Sequence, residues 1–170
     1  MKKQPLFNKI NREVLKKDLL NETFQRVTAS FYKYFEIQSP ISFRDDLYKK
    51  FDRLNIFGRV YIAREGINAQ ISIPVDNWNQ FIKKLEKFKD LKDISLKKAL
   101  QDGKSFYKLT IKVKKELVAY NIPKNSYNMQ KIGKHLTAEQ YNKALDTPET
   151  LIVDMRNYYE SEIGRFKGAI

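Results

Sequence analysis

The sequence predicts an α+β fold: a βαββαβ unit with one extra strand, followed by the opening of a second unit of α/β type. Three observations predict it. Segments with apolar residues at every second position alternate with segments where they recur every third or fourth. Gly66 and Pro74 sit where a tight turn and a strand end would fall. Near the end, "LIVDMR" is a continuous apolar run closed by Asp154, the pattern of a strand buried on both faces of a parallel sheet.

Taken in order, residues 1–25 form an N-terminal extension with no assigned element. "VTASFYKYF", Val27 to Phe35, is rich in β-formers and reads as a strand. In "SPISFRDDLYKKFDRLN", Ser39 is placed to cap a helix and Pro40 suits its first turn. Phe43, Leu47, Phe51 and Leu54 then make one apolar stripe. "FGRVYIAREG" and "INAQISIP" read as two strands joined at Glu65-Gly66. In the second, Ile67, Ala69, Ile71 and Ile73 alternate with Asn68, Gln70 and Ser72.

Asp76 is placed to cap a second helix, whose apolar face is Trp78, Phe81, Ile82, Leu85 and Phe88, with Lys83, Lys84 and Lys87 opposite. "ISLKKAL" and "FYKLTIKVKKELVAY" follow as strands around the turn "QDGKS". That order is the ferredoxin-like arrangement, an antiparallel sheet with two helices on one face, spanning residues 26–120. Residues 121–134 carry polar and turn residues and read as a linker. Residues 135–170 read as the first elements of another domain, beginning with the helix "TAEQYNKAL", where Thr137 and Gln140 have capping-box spacing.

Composition bounds the chemistry. The chain has 170 residues, a net charge of +13 and no cysteine. The last fact excludes disulfides, thiol–zinc sites and a cysteine nucleophile within these residues. His135 stands alone, so no metal site is expected. No run of apolar residues is long enough to cross a membrane, and a soluble, cytoplasmic protein is the expectation. The sequence fixes no oligomeric state.

The positive charge suits a polyanion partner. Of the 33 basic residues 8 are arginine, leaving 25 lysines. The accompanying wealth of Ile, Asn and Tyr would also follow from an A/T-rich genome, so the location of the charge matters more than its sum. The sheet face turned away from the helices concentrates it. By alternation Arg59 and Tyr61, Asn68, Gln70 and Ser72, and Thr110, Lys112 and Lys114 share that face. Tyrosine rings stack on bases, amides read base edges and lysines hold phosphates. The same alternation also describes an ordinary solvated sheet face. Arg64, beside the central turn with Glu65, Gly66 and Asn68, either positions a phosphate or base or belongs to a turn held by its own side chains. An RNA-recognition motif is rejected, because "INAQISIP" lacks its aromatic signature. Acylphosphatase chemistry is rejected too: the link after the first strand, "EIQSP", has neither Gly nor Arg to cradle a phosphate.

"SFYKYF", "FGRVYIAREGINAQISIP" and "LIVDMRNYYESEIGRFKGAI", in this order, resemble the bacterial rhodanese-domain family of tRNA uridine hydroxylases, from about Arg26 to Ile170. The resemblance implies an acylphosphatase-like, ferredoxin-like domain followed by the truncated start of a rhodanese domain. It implies hydroxylation of the tRNA wobble uridine to 5-hydroxyuridine, with tRNA as partner and molecular oxygen as co-substrate, and it names no other cofactor. Asp154, Arg156 and Glu160 match the opening motif of such rhodanese domains, in a mainly structural role. Gly164 stands at the family's glycine, while Arg165 replaces a histidine common there. In such families the catalytic cysteine lies in a loop after a later strand. The expectation is therefore that it falls beyond Ile170 and that this polypeptide by itself is inactive. A rhodanese-type sulfurtransferase and a non-enzymatic RNA-binding domain are the alternative functions.

Overall fold

The computed structural model describes Leu6 and residues 8–102, 104–118, 123, 126, 131 and 133–170. These residues fall into two compact units, 1–129 and 130–170. Most of the expected linker 121–134 lies outside the described residues, as do Ala119 and Tyr120 at the end of the last expected strand.

The first unit runs α1 (Arg12–Leu20), β1 (Arg26–Tyr34), α2 (Pro40–Asp52), β2 (Phe57–Ala63), β3 (Gly66–Pro74), α3 (Trp78–Glu86), β4 (Lys97–Asp102) and β5 (Leu109–Val113). The sheet order is β4-β1-β3-β2-β5. The first four strands pair antiparallel, as the ferredoxin-like arrangement requires. The extra strand β5 instead joins the far edge parallel to β2, so the sheet is mixed rather than wholly antiparallel. The chain reverses after β4 and returns on the other side of the sheet, where β2 supplies a free edge.

The helical stripes bury as their spacing dictates. Leu47, Phe51 and Leu54 of the α2 region, and Phe81 and Leu85 of α3, meet Ile67, Ala69, Ile71 and Ile73 of β3, with Val60 and Ile62 of β2 beside them. Phe81 is the hub: its ring lies 5.7 Å from Phe51, 5.7 Å from Trp78 and 6.5 Å from Phe31. Two helix starts differ from expectation. Ser39 stands before α2 with Pro40 at its first position, but the Ser39 hydroxyl donates to Ser42 Oγ and caps no backbone N–H. Asp76 lies within a single 3₁₀ turn, Val75–Asn77, that precedes α3. Asn77 takes the junction, and its Nδ2 donates to the Leu54 carbonyl, tying α3 to the end of α2. The extension, which has no expected element, contains α1. Asn11 caps it through Glu13 N–H, and Leu15 and Leu19 are its buried pair.

In the second unit, α4 (Ala138–Leu145) starts at Thr137 with the expected capping box. A further short helix, α5 (Tyr158–Ile163), was not foreseen and has its own box between Asn157 and Glu160. Leu151–Arg156 forms no assigned strand and is not buried on both faces: Leu151 is 69% and Met155 79% exposed. Yet Asp154 N–H donates to the Ile170 carbonyl, and Ile170 N–H to that of Ile152. Those two slanted bonds are the pattern of a parallel pair.

Gly66 carries a constraint that a side chain would break. Its φ is +146°, and a Cβ there would fall 2.1 Å from the Lys33 carbonyl oxygen on β1. Gly66→Ala should therefore destabilise the first unit by at least ~2 kcal/mol, seen as a lower urea midpoint with an unchanged slope. Gly164→Ala, which meets nothing within 4 Å, should leave the midpoint within about 0.5 kcal/mol of the parent.

Candidate nucleic-acid interface

The face opposite α2 and α3 is built row by row from the strand registers. Ser30 of β1 pairs Gln70 of β3, Gln70 pairs Arg59 of β2, and Arg59 pairs Thr110 of β5. Lys97 of β4 extends this row beyond Ser30. The next row reads Tyr32, Asn68, Tyr61 and Lys112. Neither row contains a carboxylate. Arg59, Asn68, Gln70, Lys112 and Lys114 are exposed and Tyr61 half-buried, so six expected site residues lie together. The Lys114 ammonium lies 5.3 Å above the Tyr61 ring, a cation–π contact that holds the lysine beside the aromatic face.

Sequence reasoning missed three residues of this surface. Tyr32, 63% exposed, is the most open aromatic of the two rows. Ser30 and Lys97 complete the row through Gln70. The signal was present in "VTASFYKYF", where Thr28, Ser30 and Tyr32 alternate with the buried Ala29 and Phe31, but a strand of β-formers does not announce which parity faces inward. Between β1 and β4 the same face holds a shallow groove of about 360 Å³, lined by Thr28, Ser30, Gln70, Lys97, Ser105 and Phe106 among others.

One expected residue is withdrawn from the surface. Ser72 has the outward parity but is fully buried. Arg26 covers this end of the face, with its guanidinium 3.9 Å from the Phe57 ring centroid and 5.4 Å from that of Phe24. Its Nε and Nη2 donate to the two oxygens of Glu22 at 2.6 and 2.7 Å, and Nη1 donates to the carbonyls of Asn55 and Ser72. This is the bidentate geometry that favours arginine, and four hydrogen bonds to four acceptor atoms make the burial tolerable. Arg12, at the start of α1, lies 5.8 Å from the Tyr107 ring beside β5. The Arg12 and Glu22 contacts tie both ends of the α1 segment to the sheet near Phe57 and Tyr107, where β2 and β5 run side by side.

Arg64 lies apart from the two rows, exposed on the β2–β3 turn. The turn is held both by backbone bonds to the link after β1 and by its own Glu65 side chain. Ile37 N–H donates to the Arg64 carbonyl, Phe35 N–H to that of Glu65, and Leu117 N–H to Glu65 Oε1. Two backbone donors of the link after β1, Phe35 and Ile37, are thereby consumed. Among the described residues no three His, Cys, Asp or Glu side chains come together as metal ligands, and no helix is long and apolar enough to cross a membrane.

In the second unit Asp154 and Arg156 hold each other. Arg156 Nε and Nη2 donate to the two carboxylate oxygens, its backbone N–H donates to Asp154 Oδ1, and Nη2 also reaches the Gly164 carbonyl at 2.6 Å. These bonds hold the Asp154 carboxyl down at about 2, against an ordinary 3.8. Glu160 accepts from Asn157 at the start of α5. The geometry of all three residues is that of braces for the local chain. His135 is exposed, two residues before the α4 cap.

A five-stranded sheet in this order with α2 and α3 on one face defines an acylphosphatase-like domain. The profile of the UPF0176 acylphosphatase like domain matches residues 26–117, and the chain belongs to that family. It is 45% identical to a tRNA uridine(34) hydroxylase of Leptospira interrogans, over 99% of this chain and 46% of the relative. It is 47% identical to proteins of the same name from Hamiltonella defensa and Yersinia pestis, over 97% of this chain and 47% of each relative. The chain thus spans about half the length of the curated relatives it matches. Their names favour neither sulfur transfer nor RNA binding without catalysis.

Two outcomes follow from this geometry. Glu22→Ala leaves a buried guanidinium half-paired and should cost about 3 kcal/mol of unfolding free energy, measured in urea. Asp154 should titrate near pH 2 by carboxyl-carbon NMR. Because its folded pKa is depressed, its contribution is complete above about pH 4 and is lost as pH falls through about 2. A midpoint at 3.8 would show that the Arg156 pair does not persist in solution.

Proposed function

We propose that this chain is the tRNA-holding part of a tRNA uridine(34) hydroxylase, which converts the wobble uridine to 5-hydroxyuridine with molecular oxygen, in the cytoplasm where tRNA is found. The observation that carries its own share is the face on which Arg59, Gln70, Tyr61, Asn68 and Lys112 fall into two registered rows that contain no carboxylate. Such a face combines phosphate neutralisation, base-edge amides and stacking rings, the three elements of RNA contact. The names of the relatives support the reaction and the substrate. We further read residues 135–170 as the opening of a rhodanese domain. The parallel bonding of Ile170 between Ile152 and Asp154 supports this, as does the Asp154–Arg156–Gly164 brace.

Arg59→Ala and Lys112→Ala should each weaken tRNA binding and reduce the slope of log affinity against log salt by about 1. Binding that matches the parent at every salt concentration would remove the open face as the tRNA surface. The reaction is tested by mass spectrometry of tRNA from cells with and without the gene, where loss of 5-hydroxyuridine at the wobble position is expected. Its persistence in the deletion would overturn the reading.

A further inference from the structure

We propose that the open face takes an unpaired RNA segment of two or three nucleotides, with Tyr32 and Tyr61 as stacking platforms, and does not dock duplex RNA. The inference rests on the tRNA reading and deepens it.

The size of the surface comes first. At the Ser72 end it is closed by Arg26, Phe57 and Glu22. From the Gln70 row to the turn at Gly66 the strands rise ~13 Å, and from β1 to β5 the sheet spans ~14 Å. That area is about the size of two or three stacked bases. A duplex contacts protein through phosphates on two strands across a wide minor groove, over many base pairs, and the closed end removes that length.

The chemistry points the same way. Tyr32 and Tyr61 share one row with a single strand between them, so their Cα atoms lie ~9.6 Å apart. Asn68 occupies the intervening position and Gln70 the next, so each stacked base would find an amide at its edge. Ring faces and base edges are both hidden in a duplex and both offered by an unpaired strand. The cations lie beside the rings: Lys114 at the Tyr61 ring, Lys112 next in the row, and Lys97 and Arg59 on either side of Ser30 and Gln70. They are placed for phosphates that flank stacked bases.

The test measures fluorescence anisotropy of the full chain with three labelled probes: intact tRNA, a single-stranded oligouridine and a blunt RNA duplex of equal charge. The expected result is that tRNA and oligouridine bind and the duplex binds at least tenfold more weakly. Tyr32→Ala should weaken oligouridine binding roughly tenfold, and Tyr32→Phe should restore it, because stacking needs the ring and not the hydroxyl. Tyr32 is exposed, so the variant's fold is checked simply by its unfolding midpoint. Duplex binding equal to oligouridine binding, or Tyr32→Ala and Tyr61→Ala binding as the parent does, would overturn the inference while leaving tRNA recognition standing. Failure of all three probes to bind would overturn both.

Discussion

The nine-residue antiparallel pairing of β1 with β3, Arg26 with Pro74 through Tyr34 with Gly66, is the constraint on which the rest depends. It fixes parity across the middle of the sheet. Odd positions from Ala29 to Phe31 and from Ile67 to Ile73 go to the helices, and even ones go outward. A slip of one residue would send four isoleucine and alanine side chains of β3 to water and bury two amides. Gly66 pins the register at one end, because only a residue without Cβ fits against the Lys33 carbonyl. Arg26 pins it at the other, bonded to the carbonyl of Ser72 opposite Thr28. The core and the candidate RNA surface are therefore two consequences of one alignment.

Closing one end of the outer face costs a buried guanidinium, which is stable there only because Glu22, two carbonyls and two aromatic rings surround it. The effect is to confine the polar surface. Ser72, which alternation alone would offer to a ligand, is taken out. Arg59, Gln70, Asn68, Tyr61 and Lys112 remain, with Tyr32 beside them. Glu22 and Phe24, ahead of β1, thus belong to the architecture of the site.

The second unit is organised differently. Its braces are short-range: two capping boxes, the Asp154–Arg156 pair and its bond to Gly164. Many of its larger apolar side chains, Leu151, Met155, Tyr158 and Ile163 among them, stay exposed. Local polar bonds shape this segment, and little apolar burial supports it, in contrast to the first unit, whose core is built from residues far apart in sequence.

The sequence by itself determined the class of fold, the two helical stripes and the parity of β2, β3 and β5, because side-chain period follows directly from backbone geometry. It also carried, in "EGINAQIS" and "DMRNYYE", enough of a family pattern to point at the chain's relatives. Other features were legible only in part. Thr137 and Gln140 announced their capping box, since both partners are local, while Ser39 and Asp76 did not cap as their positions suggested. What only the tertiary structure decided depends on residues distant in the chain. Examples are β5 joining parallel to β2, Arg26 burying Ser72, and β1 presenting Tyr32 beside Asn68. No local periodicity encodes which strand takes a free edge or which side chain lies over another, because those outcomes are settled by the packing of segments thirty to fifty residues apart.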